Sequence, residues 1–302
     1  TYKITDGALT THAWGATDGT HRKLTRNAMS GYWNGGNNPD IDYGKLYENR
    51  MPLLKLAYER SLEKPDPKFT AFWTENAWWL DDYALFMAVK DRFDGVAWNE
   101  WAEDIRLRWS NAMDYYRREL YYEIEFYSYL QFVFMKQWKK LKNYANINGI
   151  EIIGDIPIYV AFDSADAWAN PELFQFDENC EPVAVAGCPP DAFSVTGQLW
   201  GNPLYNWELH RNSGYEWCIK LISNCFLLYD VVRIDHFRGF AGYWEVPAGE
   251  KTAVNGRWVP GPGADFFTAL IANLGPLPLV AEDLGVITTD VEAWRDQFAL
   301  PG

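Results

Sequence analysis

The stretch that decides the fold is YDVVRIDHFRGF, residues Tyr229–Phe240. It begins as an apolar run typical of a buried strand and then places Arg233, Asp235, His236 and Arg238 within six residues. Burying an unpaired charge is costly, so a run that ends in this way predicts either a surface turn or a site where the charges have partners. The rest of the chain favours the second interpretation.

Two further apolar runs share this design, GIEIIGDIPIYVA at Gly149–Ala161 and LPLVAEDLG at Leu277–Gly285. Each of the three runs follows a segment with helical periodicity, so the order is αβαβαβ, which is typical of an α/β fold with a parallel sheet. Each run also ends in carboxylates, namely Asp155, Asp235, and Glu282 with Asp283. Active sites lie at the carboxyl ends of the strands of a β/α barrel, so we expect the three acids to converge.

The acids on the second and third runs have unequal surroundings. Because side chains alternate along a strand, Arg233 and Asp235 share one face, and a neighbouring guanidinium favours the ionised carboxylate that a nucleophile requires. Glu282 instead follows the apolar residues Pro278–Ala281, which favour a protonated carboxyl group suited to general acid catalysis. Unequal acids of this kind carry out glycoside chemistry. The structural alternatives are an ion pair in a barrel core and helix caps or rim salt bridges.

The composition narrows the range of partners. A formal net charge of −14 argues against nucleic acid or an anionic membrane as the main partner, because both reward clustered Lys and Arg. No apolar run approaches the roughly 20 residues that span a bilayer. The start of the sequence shows no signal peptide, and four cysteines without a C-x-x-C pair fit a cytoplasmic protein. Aromatic residues make up 17% of the chain, and their flat faces suit sugar rings as well as a core.

The sequence predicts no cofactor. It contains neither a glycine-rich phosphate loop nor a dinucleotide fingerprint. His210 and His236 lack the spacing of a zinc site, and we expect no metal. Three carboxylates at consecutive strand ends could nevertheless form an oxygen site for Mg²⁺. A Mg²⁺-dependent barrel lyase or isomerase is therefore the alternative enzyme reading.

Periodicity divides the chain into three parts. Residues 1–33 are rich in Thr and Gly without periodicity, which is typical of loop or disorder. Residues 34–148 have a helical pattern, in which Thr74 is an N-cap candidate and Gly95 a stop candidate. Residues 149–302 carry the alternating strands and helices, with a long loop predicted at residues 181–207. Long loops in compact domains are usually functional.

Several motifs in this order resemble one enzyme family. They are GDIPIYVAFDSADAW (154–168), AGCPPDAFSVTGQLWGNPLYNW (186–207), YDVVRIDHFRGF (229–240), GRWVPGPG (256–263) and AEDLGVIT (281–288). Together they are similar to the 4-α-glucanotransferases called amylomaltases or disproportionating enzymes, barrel relatives of the α-amylases. WLDDYALFMAVK (79–90), LQFVFMKQW (130–138) and IDYGKLYENR (41–50) resemble the helical insertion of that family.

The resemblance implies part of a (β/α)8 TIM barrel with a large helical insertion, acting on α-1,4-glucans and maltooligosaccharides by a retaining double displacement. By motif matching, Asp235 is the nucleophile and Glu282 the general acid and then base. The same matching gives the expected substrate-binding or supporting residues Arg233, His236, Asp155, Tyr159, Asp191, Trp200 and Asn202. Asp191 and Trp200 lie in the loop that covers bound glucan in the family, and a lid there favours sugar acceptors over water.

The sequence also departs from the family. Barrel strands precede the helical insertion in the family, whereas residues 1–33 show none. A third carboxylate in a Thr-His-Asp-Asn setting is absent, and three strands are found where a barrel needs eight. We therefore expect an incomplete barrel with little activity by itself, and a non-catalytic glucan-binding remnant is the second alternative. The sequence does not specify the oligomeric state or the preferred glucan length.

Overall fold

Helices dominate the first part of the described chain and strands the second. The computed structural model describes residues 42–282 and 288–302. The helices are α1 (Tyr43–Glu63), α2 (Pro67–Arg92), α3 (Glu103–Arg106), α4 (Ser110–Glu119), α5 (Tyr121–Ile147), α6 (Ala165–Ala169), α7 (Trp207–Asn212), α8 (Glu216–Leu228), α9 (Ala264–Leu274) and α10 (Thr289–Gln297). The strands are β1 (Ile153–Pro157), β2 (Ala184–Cys188), β3 (Gln198–Pro203), β4 (Val231–Asp235), β5 (Gly242–Pro247), β6 (Arg257–Pro260) and β7 (Leu279–Ala281). Within these described ranges, no helix has the length and apolar character needed to cross a membrane.

The bounds of α2 correct one expectation and confirm another. Thr74 is not an N-cap, because the helix begins at Pro67 and Thr74 lies inside it, where its hydroxyl donates to the carbonyl of Thr70 at 3.0 Å. Proline is favoured at a first helical position, where its missing N–H has no partner to lose. The stop at Gly95 is confirmed, since its φ of 78° lies in the left-handed region and its N–H donates to Lys90 O at 2.8 Å.

The chain separates into two compact units. In its described part, the first contains residues 42–80 and 125–133, and aromatic rings form its core, with Tyr58 and Phe126 both buried and 5.7 Å apart. The second contains residues 81–124 and the described residues from 134 onward, including all seven strands. The division into residues 1–33, 34–148 and 149–302 stays a prediction, and the first of these parts lies outside the described residues.

The three apolar runs form the parallel sheet that the sequence predicts, in the order β1-β4-β7. On β4, Val232 and Ile234 are buried while Arg233 and Asp235 are partly exposed, so the charged side chains take the face opposite to these two apolar ones. The register pairs Arg233 with Asp155 and Ile234 with Ala281. The described chain is thus a mixed α/β structure whose central strands bring the predicted acids together.

The start of this sheet is fixed by polar contacts from α5. Asp230 accepts hydrogen bonds from the Ile152 N–H and the Asn146 side chain, both at 2.8 Å. Lys142 lies 3.3 Å from Asp230 and donates to the carbonyl of Tyr229 at 2.7 Å. These bonds fix the register of β1 relative to β4 at the amino-terminal ends of both strands.

A second sheet, antiparallel and in the order β3-β2-β5-β6, takes two of its strands from the predicted long loop. Residues 181–207 contain β2 and β3, so the expectation of one uninterrupted loop is wrong. Only residues 189–197 connect the two strands, and β5 and β6 follow β4 along the chain. A short 3₁₀ turn, Phe237–Phe240, leads from β4 into β5 and thereby connects the two sheets.

Candidate active site

Arg233 holds two of the predicted acids at once. Its Nη1 donates to Asp155 Oδ1 at 2.6 Å and its Nη2 to Asp235 Oδ1 at 2.9 Å. The hydrogen bond to Asp155 raises the pKa of Arg233 above its ordinary value, and the charge of Asp235 adds to this. Asp155 lies in the middle of β1, opposite Arg233, rather than at the end of the strand. The guanidinium therefore fixes Asp235 at the carboxyl end of β4 with a charge-assisted bond.

Glu282 lies beside the residue that follows Asp235. It comes directly after β7, and its N–H donates to Ile234 O at 3.0 Å. Its Oε2 accepts from the backbone N–H of His236, also at 3.0 Å. His236 has φ 54° and ψ 45°, in the left-handed region. The sequence predicted only apolar surroundings for Glu282, and this backbone donor is an addition that strand patterns do not show.

The His236 ring is neutral near pH 7 and lies edge-on to Trp200. The two ring centroids are 4.7 Å apart at an interplanar angle of 89°. The pKa of His236 is lowered to about 4, mainly by burial and also by the charge of Arg238, against the opposing effect of Asp235. A neutral imidazole can donate one hydrogen bond and accept another. The ring can therefore bind a hydroxyl group next to the acids without adding a second positive charge.

Tyr159 and Asn202 support the wall formed by Trp200. The Tyr159 ring is buried, with its centroid 6.5 Å from that of Trp200 and 5.9 Å from that of Tyr205. Burial raises the Tyr159 pKa above its ordinary value. The side chain of Asn202 donates to Val160 O at 2.9 Å, which ties β3 to the segment after β1. Tyr159 thus lies next to Trp200, while Asn202 fixes the strand that carries Trp200.

Asp191 organises the exposed segment between β2 and β3. Its Oδ1 accepts from the N–H groups of Phe193 at 2.8 Å and Ser194 at 2.7 Å, as in a turn stabilised by an Asp side chain. Phe193 is fully exposed at the tip. Burial raises the pKa of Cys188, at the end of β2, to about 11, and the charges of Asp191 and Glu282 also raise it. Cys188 is thus a neighbour of the site that the sequence did not indicate.

The arrangement favours glycoside chemistry over a Mg²⁺ site. The Arg233 guanidinium bonds both Asp155 and Asp235, and a cation already in place repels a metal ion at these carboxylates. Among residues 42–282 and 288–302, no group of three or more His, Cys, Asp and Glu side chains is arranged to hold a metal. Asp283 lies outside the described residues. Two carboxyl groups with different partners, next to an exposed aromatic ring, are typical of enzymes that break or transfer glycosidic bonds.

Comparison with known proteins identifies the family. The family profile described as 4-alpha-glucanotransferase matches residues 14–302, and the chain belongs to this family. It is 49% identical over 270 residues to a 4-alpha-glucanotransferase of Streptococcus pneumoniae, covering 89% of this chain and 54% of that protein. For the 4-alpha-glucanotransferase of Thermus thermophilus the values are 48% over 266 residues, 87% and 53%.

A solved structure supports the same conclusion. The amylomaltase from Streptococcus agalactiae in complex with acarbose is 42% identical to this chain and superimposes with a TM-score of 0.84. The match covers 87% of this chain and 54% of that one. The chain therefore spans about half the length of the relatives it matches.

Proposed function

We propose that this chain supplies the catalytic acid pair of an enzyme that transfers α-1,4-linked glucan segments between maltooligosaccharides. The observation that carries the proposal is the pair of acids on neighbouring parallel strands. Asp235 is held by Arg233 at 2.9 Å, and Glu282 is held by the backbone N–H of His236, the next residue along from Asp235. The acarbose bound by the similar amylomaltase supports a saccharide ligand.

The first step forms a covalent glucosyl-enzyme. Glu282 donates its proton to the glycosidic oxygen, and the bond from that oxygen to C1 breaks with its electron pair remaining on the oxygen. An Asp235 carboxylate oxygen attacks C1 from the opposite side and forms an ester. The departing glucan leaves with a new 4-hydroxyl group. The hydrogen bond from Arg233 keeps Asp235 aimed at C1 while this occurs.

The second step transfers the glucosyl group. Glu282, now ionised, takes the proton from the 4-hydroxyl of a second glucan, and the oxygen of that hydroxyl attacks C1. The ester bond to Asp235 breaks and its electron pair returns to the carboxylate. Two inversions give overall retention, and Glu282 ends the cycle protonated as it began. No cofactor is required by these steps.

The neighbouring residues bind and enclose the sugar in this proposal. The neutral His236 ring bonds a sugar hydroxyl, and Trp200 packs against a sugar face. Asp155 holds Arg233, while Tyr159 and Asn202 support the wall behind Trp200. The segment shaped by Asp191 covers bound glucan, which excludes water and favours transfer over hydrolysis.

The proposed architecture is part of a (β/α)8 barrel. The parallel order β1-β4-β7, with a helix before each strand and the acids within or after the strands, supports this reading. In this proposal the helical region within residues 34–148 is an insertion into the barrel, and residues 149–302 are its catalytic part. A cytoplasmic location is likewise an expectation from composition alone.

The test is transfer between maltotriose molecules by a protein that contains this chain. Glucose release and longer maltooligosaccharides are the expected products, and EDTA should leave the rate unchanged. Asp235→Asn and Glu282→Gln should each reduce the rate by about 10⁴-fold. Glu216→Gln is the matched control, because Glu216 is an exposed acid that pairs with Lys220 one turn along α8, and it should retain the parent rate.

Two outcomes would contradict the proposal. Binding of maltooligosaccharide without any transfer would favour the glucan-binding alternative, and loss of activity with EDTA would favour the Mg²⁺ alternative. A donor that carries fluorine at C2 and a good leaving group slows breakdown of the ester. Mass spectrometry of the treated protein should then locate the added sugar on Asp235.

A further inference from the structure

The turn after β4 contains a backbone conformation that needs support. His236 is not glycine, yet its φ is 54°, in a region that such residues seldom adopt. Left-handed residues of this type persist only where the surrounding structure holds them, and they concentrate at functional sites. The N–H of His236 is the group that donates to Glu282. The conformation of this one residue therefore decides where the donor points.

Aromatic stacking anchors the turn that follows His236. Phe237 and Phe240 are both buried. The Phe237 ring stacks on Trp294 of α10, with centroids 4.8 Å apart and planes 24° from parallel. The Phe240 ring stacks on Phe266 of α9, at 5.0 Å and 4°. The turn is thus anchored by two buried ring contacts and has little freedom to move as a whole.

Gly239 makes room for the His236 ring inside this anchored turn. A Cβ atom at Gly239 would lie 2.7 Å from Ile158 Cδ1 and 3.0 Å from His236 Cδ2. Both are shorter than ordinary van der Waals contacts of 3.5–4.0 Å between carbon atoms. The φ of Gly239 is not positive, so an alanine there is opposed by crowding and not by backbone conformation. Ile158 is itself buried, which limits how far it can move away.

We propose that Gly239 is a positioning residue for the acid and base Glu282, acting through His236. With no side chain at position 239, the His236 ring stays next to Trp200 and its backbone N–H stays directed at Glu282 Oε2. That donor occupies Oε2 and so fixes the orientation of the Glu282 carboxyl group relative to β4. This inference rests on the proposed function, and it adds a residue that touches neither the substrate nor the acids.

The test compares Gly239→Ala with Gly242→Ala in a protein that contains this chain. Gly242 is a matched control because it lies three residues along, its φ is not positive, and its nearest neighbour to an added Cβ is Val259 O at an ordinary 3.5 Å. Gly239→Ala should lower the rate of transfer from maltotriose on the order of 10- to 100-fold, as a displaced catalytic group does. Gly242→Ala should change it by less than about twofold, since surface-like changes have small effects.

A second donor separates Glu282 from Asp235. With α-maltosyl fluoride, fluoride leaves with the electron pair of its bond to C1 while Asp235 forms the ester, so no proton from Glu282 is needed. The burst of fluoride released in the first turnover should therefore be nearly unchanged in Gly239→Ala. An equal loss with both donors would show that Gly239 acts on Asp235 or on folding, and no loss with maltotriose would show that it positions nothing. Either result overturns the proposal.

A double variant covers the case in which Gly239→Ala does not fold. Ile158→Val removes Cδ1, so in Gly239→Ala with Ile158→Val the remaining close contact of the added methyl group is His236 Cδ2 at 3.0 Å. The double variant should keep the selective loss with maltotriose, measured against Ile158→Val alone. If the parent protein transfers no glucan, the proposed function fails. The positioning of Glu282 by Gly239 is then tested separately, by comparing crystal structures of the parent and the double variant. A Glu282 Oε2 that stays 3.0 Å from the His236 nitrogen in the double variant would overturn it.

Discussion

The two sheets of this protein differ in the contacts that join their strands. In the parallel sheet, charged side chains bridge strands that are far apart in the sequence, as Arg233 does between Asp155 on β1 and Asp235. In the antiparallel sheet, neighbouring strands are mostly close in the sequence and meet through backbone contact and aromatic pairs, such as Trp244 with Trp258 at 5.4 Å. The first sheet fixes the proposed catalytic acids, and the second carries the segment that we propose covers bound glucan.

This difference between the sheets indicates where substitutions can be tolerated without loss of catalysis. A cross-strand charge pair needs accurate geometry at both ends, whereas the connection between β2 and β3 can change without moving the acids. Variants should therefore have larger effects on catalysis in the parallel sheet and on stability or sugar affinity near the antiparallel sheet.

Among these variants, replacing Arg233 should reduce the rate of transfer most strongly. Arg233→Lys supplies one point charge in place of a planar fork, so it cannot bond both carboxylates with the same geometry. The transfer rate should fall by about 100-fold or more, with a small change in melting temperature. Arg257→Lys on β6 is the control, because that side chain is 76% exposed and pairs with a single carboxylate, Glu245, among the described residues. Equal losses in the two variants would contradict the division between the sheets.

Low pH should reduce the free energy of unfolding through His210, which lies on α7 shortly after β3. His210 is fully buried, and burial lowers its pKa from 6.5 to about 4. The unfolded chain therefore binds a proton at higher pH than the folded chain does, and the free energy of unfolding falls as pH drops from about 6.5 towards 4. The contribution of His210 is roughly 3 kcal/mol over this range.

Urea unfolding at several pH values measures this effect. His236 adds a change of the same sign, since its pKa is also lowered to about 4. His210→Phe removes only the contribution of His210. The free energy of unfolding of the parent, relative to that of this variant, should therefore fall as pH drops from 6.5 to 4. A difference that is independent of pH would contradict the assignment.

Gly187→Ala should weaken the pairing of β2 with β3. A Cβ atom at Gly187 would lie 2.5 Å from the backbone carbonyl oxygen of Gln198, and a backbone atom in a sheet cannot turn away as a side chain can. We expect a loss of about 1–3 kcal/mol in the free energy of unfolding. Gly242→Ala, which has room for its methyl group, serves as the control in the same denaturant experiment. A stable Gly187→Ala protein would show that this pairing is not tightly constrained.

Trp200→Ala should have the smallest effect and should act on affinity. The ring is partly exposed and packs on His236, so its loss removes one aromatic surface for the sugar. KM for maltotriose should rise about three- to tenfold with a smaller change in kcat. Trp109→Ala provides a comparison, because Trp109 is exposed to a similar degree and is not a candidate site residue. A change in kcat alone would argue against a role in binding sugar.

The parallel sheet could be predicted because its strands carry strong local patterns. Each is a short apolar run after a helix, and the alternation along β4 predicted that Arg233 and Asp235 would lie together. Their 2.9 Å contact confirms it. The same alternation could not show that Arg233 also reaches Asp155, since the register between β1 and β4 depends on contacts such as that of Asp230 with Ile152.

The remaining features depend on tertiary structure. Residues 181–207 are rich in Pro and Gly, which normally indicate a loop, but Gly187 is required there for the close approach of two strands. Thr74 has the residue type of a cap, yet the helix continues through it because its apolar face packs regardless of local preference. The bond from His236 to Glu282 comes from a left-handed backbone at a residue other than glycine, which no sequence pattern predicts.

The alternation of β4 has a consequence for how this segment can evolve. Its buried residues Val232 and Ile234 lie on the side opposite to Arg233 and Asp235, and strands pair with it on both edges. Deleting or inserting one residue within Val231–Asp235 would exchange the two sides and turn the charged groups towards the core. The segment can therefore accept conservative exchanges of its apolar residues, but a change in its length would move the charged groups.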